Sequence, residues 1–258
     1  MLLKFLKLIY STWVIITFFL LVIPMMIAYV FIYFLPKHKK IDAVYRINRT
    51  FLFVWSIFSF FTYKVTGLNL YNTNQSYVVV LNHNNAADMF AAAYGLRIPA
   101  KPLIKKELLR IPLLGQLFMM ACTPVDRSSA EGRKQSKELI YSELAQGVSP
   151  LIFPEGTRNR TTFPLKDFYN GAFEIAIDTQ TPILPVVLTN IRKLNKVDTW
   201  LAEPGVIEIN HLQPIETKGM TIDDLDKLKL YTHAIMWNYL VKHDDDFKHN
   251  ELKSISTI

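Results

Sequence analysis

VVVLNHNNAADMFAAA, residues 78–93, is the stretch whose reading decides the fold. Its opening run, Val78 to Leu81, is apolar without interruption, the pattern of a strand buried on both faces. Its closing run is small and apolar, suited to a short helix. Between them stand His83 and Asp88, and no other charged side chain lies in the stretch. A strand, a titratable pair and then a helix put that pair at the carboxyl end of a strand. Open α/β sheets gather their functional groups there.

Working outward, the same alternation continues. SYVVVLN, SPLIFPEGTRN, PILPVVLT and GVIEINHLQPI read as strands, with CTPVDR as a strand end or turn. AADMFAAAYGL, GRKQSKELIYSELAQG, NGAFEIAIDTQ and TIDDLDKLKLYTHAIMWNYLVKH read as helices. The last opens on Thr221 and Asp224 at capping-box spacing, with Asp in the Glu/Gln position. Strands alternating with helices predict an α/β fold with a mixed, largely parallel sheet flanked by helices. The expected organisation is N-terminal membrane helices over 1–66, a domain over 67–243, and a charged, frayed tail over 244–258.

The N-terminal expectation comes from charge. No charged side chain occurs between Lys7 and Lys37. The span Thr12 to Leu35, as a helix, reaches roughly 36 Å at about 1.5 Å per residue, enough for a hydrocarbon layer of ~30 Å. Apolar segments over 10–35 and 50–63 therefore predict a membrane-associated two-helix segment, either one span or a monotopic hairpin. The linker between them carries Lys37, Lys39, Lys40, Arg46 and Arg49, which places it and the domain on the cytoplasmic side of a plasma or inner membrane. Of 258 residues, 50% are hydrophobic and the formal net charge is +7. A basic balance suits nucleic acid, an anionic membrane surface or anionic substrates. No nucleic-acid-binding signature is present, and the apolar N-terminus argues against a nucleic-acid partner. One cysteine, Cys122, excludes an internal disulfide framework and a multi-cysteine metal site.

Several stretches bear chemistry. His83 is a candidate base and Asp88 the carboxylate that would fix its tautomer. No G-x-S-x-G elbow accompanies them, so the hydroxyl they would activate can belong to a substrate. In FPEGTRN, Gly156 admits a close backbone approach, Thr157 offers a hydroxyl and Arg158 a guanidinium suited to phosphate. Glu155 would accept from ligand hydroxyls or orient Arg158. Arg127 follows the apolar run that ends in PVDR. Each has an ordinary reading when taken alone: a capping histidine, a strand-exit turn, a surface ion pair.

Taken in order, NHNNAAD, VDR, FPEGTR and LPVV resemble the glycerolipid acyltransferase family, with 1-acylglycerol-3-phosphate (lysophosphatidic acid) acyltransferases the best likeness. KKELLRIPLLGQL resembles the family's sequence between the first two motifs. One departure is DFYNGAF, where Tyr169 and Asn170 stand at positions that often carry lysine. The resemblance implies a glycerol-3-phosphate acyltransferase-like fold and transfer of an acyl group from acyl-CoA or acyl carrier protein to a lysophospholipid hydroxyl. It implies His83 and Asp88 as the catalytic pair, and Arg127, Glu155, Gly156, Thr157 and Arg158 as acceptor-binding residues. No cofactor and no metal are implied. Another lysolipid acceptor, or a membrane lipid-binding protein without turnover, are the alternative readings.

Overall fold

A computed structural model describes residues 2–85, 87–112, 114–194 and 201–255, with the side chains of Lys37 and His38 not described. Two helices open the chain, α1 (Leu2–Tyr33) and α2 (Lys37–Ser59). Seven strands follow: β1 (Phe61–Thr66), β2 (Val78–Leu81), β3 (Ala100–Lys105), β4 (Thr123–Val125), β5 (Ser149–Ile152), β6 (Ile183–Thr189) and β7 (Gly205–His211). The helices among them are α3 (Asp88–Gly95), α4 (Leu114–Ala121), α5 (Ala130–Ala145), α6 (Gly171–Asp178) and α7 (Ile191–Leu194), and α8 (Leu225–His243) closes the fold.

The strands form one sheet in the order β1-β7-β6-β2-β5-β3-β4. Only the β6–β7 pairing is antiparallel, so the expected mixed, mostly parallel sheet is what the chain forms. β2 lies between β5 and β6, and every residue of β2 and β6 is buried. Such strands need cover on both faces. One face packs on α1, α2 and α3 through Val79, Leu81, Leu184 and Ile209. The other packs on α5, α6 and α8 through Val78, Val80, Ile140, Phe173 and Leu228. The chain leaves β2 through α3 on the first face and leaves β5 through α6 on the second. The crevice between these departures opens at the carboxyl ends of β2 and β5.

The N-terminal region differs from expectation at one boundary. The apolar segment read over 50–63 is split: its first part belongs to α2, and its last residues begin β1. Phe60 ends α2 in a left-handed conformation (φ 55°). Phe61 to Thr66 then pair in parallel with Gly205 to Asn210. The sheet thus starts before Gly67, because an apolar helix end runs into an edge strand with no charged residue, glycine or proline between them. The basic linker is itself the first half of α2.

α1 has the length and composition to cross a membrane. Its side chains Ile15, Ile16, Phe19, Leu20, Ile23, Ile27 and Phe31 are exposed. Its other side docks on α2 and the domain. Trp13 Nε1 donates to the Phe58 carbonyl at 2.8 Å, Trp55 Nε1 to the Val14 carbonyl at 3.3 Å, and the Ala202 amide to Ser11 Oγ at 2.8 Å.

The tail, expected to fray from Asp244, instead packs back through Phe247 and is tied to α8 by hydrogen bonds as far as Lys253, while residues 251–255 stay exposed. Phe247 is fully buried, which at about 1.5–3 kcal/mol for one such side chain outweighs the charge around it. Trp237 Nε1 donates to the Glu251 carbonyl, and Asn238 exchanges two hydrogen bonds with the Lys253 backbone. Residues 256–258 of the expected tail lie outside the described residues. The capping box at Thr221 and Asp224 forms as its spacing predicts.

Candidate active site

The site is built on the end of β2. Past Leu81, the Asn82 side chain replaces the strand's backbone pairing: its Nδ2 donates to the Leu188 carbonyl at 2.9 Å, and the Leu188 amide donates to its Oδ1 at 2.8 Å. This fixes the chain as it enters the His83 loop. The His83 amide donates to Glu155 Oε1 at 2.8 Å, and its carbonyl accepts from the Asn159 amide at 2.6 Å. Its ring stacks on Phe153, with centroids 4.2 Å apart and planes at 22°.

Asp88, at the first turn of α3, folds back on the loop. Its Oδ2 lies 2.8 Å from His83 Nδ1 and accepts from the amides of Asn84 (2.5 Å) and Asn85 (2.7 Å). Its side chain is fully buried, whereas that of His83 is 19% exposed. Burial pushes the Asp88 carboxyl above its ordinary range, and the donors from His83, Asn85 and Asn84 act in the opposite direction. An ionised Asp88 is acceptor-only, and against it His83 Nδ1 is the donor and Nε2 the unprotonated ring nitrogen.

Glu155 is 1% exposed. One oxygen takes the His83 amide and the other the Lys166 amide at 2.9 Å. It ties three segments together, with one backbone amide on each oxygen. Burial raises its carboxyl to about 7, against the pull of the two backbone amides and Lys166. With the folded value above the ordinary one, the stability Glu155 contributes is full below about 4.5 and is lost as pH rises through about 7. Urea unfolding across that window is expected to show the stability of the wild type, relative to Glu155→Gln, falling as pH rises.

Two cavities flank the loop. One, of about 270 Å³, lies between the α1–α2 hairpin and α3, lined by Val14, Phe18, Trp55, Phe90 and Ile207, with Asn85 and Ala87 of the His83 loop in its wall. Among the described residues no charged side chain lines it. The other, of about 350 Å³, lies over α5 and α6, with Val125, Ile140 and Ile152 as floor and Arg127, Arg133 and Lys137 among its walls. Phe153, which carries His83 on its ring, also lines this second cavity. Gly156 lies there in the left-handed region (φ +71°), and a Cβ on it would meet the Tyr169 ring at 2.8 Å.

The Acyltransferase family model matches residues 62–189. A 1-acyl-sn-glycerol-3-phosphate acyltransferase of Salmonella typhimurium is 30% identical over 176 residues, covering 67% of this chain and 71% of that protein. The chain belongs to the Acyltransferase family. The mouse 1-acyl-sn-glycerol-3-phosphate acyltransferase alpha is 32% identical over 168 residues, 64% of this chain and 59% of the mouse protein. The match thus spans less than two thirds of that relative's length. The crystal structure of PlsC, the 1-acyl-sn-glycerophosphate (LPA) acyltransferase of Thermotoga maritima, superposes with a TM-score of 0.79 at 18% identity, covering 94% of this chain and 99% of that one. That likeness gives the fold.

Within this family member, the residues singled out by sequence fall into separate groups. His83 and Asp88 are in contact. Arg127 and Gly156 share the second cavity. Arg127 and Arg158 are exposed, as is Thr157, whose Oγ1 accepts from Lys166 Nζ at 2.6 Å. Sequence reasoning passed over Asn84, Asn159 and Arg192. Arg192, on α7, donates to Asn84 Oδ1 and to the carbonyls of Asn159 and Thr161. Asn84 stood inside a recognised motif, but nothing in the local sequence around Arg192 marks it.

Proposed function

We propose that this chain moves a fatty acyl group from a thioester, acyl-CoA or acyl carrier protein, to the free hydroxyl of 1-acylglycerol-3-phosphate, yielding phosphatidic acid at the cytoplasmic face of a membrane. The observation that carries this reading is the Asp88–His83 pair, held at 2.8 Å at a strand end between a largely apolar cavity and one whose walls carry Arg127, Arg133 and Lys137 together with Asp126 and Glu174. His83 Nε2 takes the proton of the acceptor hydroxyl as its oxygen attacks the thioester carbonyl. The C–O bond forms, the C–S bond breaks, and the departing thiolate recovers the proton from the imidazolium. Asp88 keeps the ring in the required tautomer and stabilises the imidazolium. The relatives named as 1-acyl-sn-glycerol-3-phosphate acyltransferases support the choice of acceptor.

The largely apolar cavity under α1 and α2 suits an acyl chain, and it lies against the helix long enough to enter a bilayer. Arg127 suits the acceptor's phosphate, with Thr157 and Arg158 on the same loop as Gly156. A charge-assisted contact of this kind contributes about 1.5–3 kcal/mol, so Arg127→Ala is expected to raise the acceptor KM by on the order of 10- to 100-fold with kcat little changed. Steady-state kinetics at saturating donor checks this; an unchanged acceptor KM would remove Arg127 from the phosphate site. Competing lysolipids with and without a phosphate, offered in one mass-spectrometric assay, test the acceptor itself. Preferential consumption of a phosphate-free lysolipid would reject this acceptor.

A further inference from the structure

We infer that Arg192 is a positioning residue for acyl transfer and that Phe247 of the C-terminal segment holds it in place. The inference rests on the reading of His83 as the base. β6 leads through Asn190, in the left-handed region (φ 64°), into the four residues of α7. From there the guanidinium reaches two loops at once. Nε and Nη2 donate to Asn84 Oδ1 at 3.0 and 2.9 Å, Nη2 also to the Asn159 carbonyl at 3.0 Å, and Nη1 to the Thr161 carbonyl at 2.8 Å.

Both loops grip the His83–Asp88 pair. The Asn84 amide donates to Asp88 Oδ2, and the Asn159 amide donates to the His83 carbonyl. One planar, forked cation therefore sets the spacing between the loop that carries His83 and the loop that follows Gly156. A lysine in its place keeps the charge but has no flat fork to meet three acceptors in fixed directions. The guanidinium carbon lies over the buried Phe247 ring, 4.7 Å from its centroid. The turn containing Phe247 is in turn tied to α7: Asp244 Oδ2 accepts from the Asn190 amide at 3.1 Å, and Asp245 pairs with Lys193 at 3.0 Å. The tail thus closes over a residue that never needs to touch substrate.

Misplacement of reacting groups by about 1 Å costs on the order of 10²-fold in rate without weakening ligand binding. The test compares the full-length wild type with Arg192→Lys, Phe247→Ala and the double variant, each first shown to be folded by thermal melting. Arg192→Lys is expected to lower kcat by about 10- to 100-fold with both KM values within about 3-fold. Phe247→Ala is expected to lower kcat less, and to add little in the Arg192→Lys background, since both act through one guanidinium. Wild-type kcat in Arg192→Lys, a rise in KM in place of a fall in kcat, or full additivity would each overturn the inference. A readout that needs no turnover is the rate at which diethyl pyrocarbonate modifies His83, followed by peptide mass spectrometry. A changed rate in Arg192→Lys supports the positioning role and an unchanged rate rejects it. Failure of the wild type to transfer acyl groups would instead reject the proposed function.

Discussion

Replacing His83 with alanine is expected to lower kcat by about 10²–10⁴-fold, the usual worth of a positioned general base. KM for donor and acceptor should change little, because the proposed mechanism gives the imidazole proton transfer and no part in holding either ligand. The fold should survive: the lost ring is one of three donors on Asp88 Oδ2, and the amides of Asn84 and Asn85 remain. The residual rate reflects substrate positioning alone. Acceptor-dependent thiol release, measured beside a circular-dichroism melt, decides the matter. A folded His83→Ala variant with wild-type kcat would remove His83 from the chemistry.

Glu155→Ala is expected to act through stability. It deprives the amides of His83 and Lys166 of their acceptor in a nearly closed environment. Each orphaned buried donor costs about 1–3 kcal/mol, a large share of a total stability that is typically about 5–15 kcal/mol. Urea unfolding near neutral pH should show that loss directly. The His83 backbone would lose its anchor, so kcat should fall as well. A variant of unchanged stability whose only defect is a raised acceptor KM would instead make Glu155 a ligand contact, as the motif alone had suggested.

That contrast shows what the sequence can and cannot convey. β2, β5 and β6 were readable because uninterrupted apolar runs of strand length have few other uses in a domain with helices between them. The sheet order was not, since pairing is decided by tertiary packing. β1 was hidden because Phe61 and Tyr63 extend an apolar helix end with no charged residue, glycine or proline to mark the change of period. His83 and Asp88 could be paired on paper only through the ordered motifs that follow them, since their spacing alone fits a capping histidine equally well; in the fold Asp88 is the first residue of α3 and folds back across the loop. Glu155 could not be sorted from Arg158 in the same way. Both are charged residues of one short motif, yet one faces inward to amides and the other outward to solvent. Arg192 lies more than a hundred positions from the asparagine it holds, and only the folded chain brings them together. The tail looked solvated because its charges outnumber Phe247, the residue that decides its position.

The most direct test of the account is a quench-flow measurement of thiol release from an acyl thioester by the full-length chain in lipid vesicles, with and without 1-acylglycerol-3-phosphate. The expected result is thiol release only when the acceptor is present, with one phosphatidic acid formed for each thiol and no acceptor-independent burst. A burst of thiol without acceptor would reveal an acyl-enzyme intermediate, and would contradict direct attack by the substrate hydroxyl on a thioester with His83 as base.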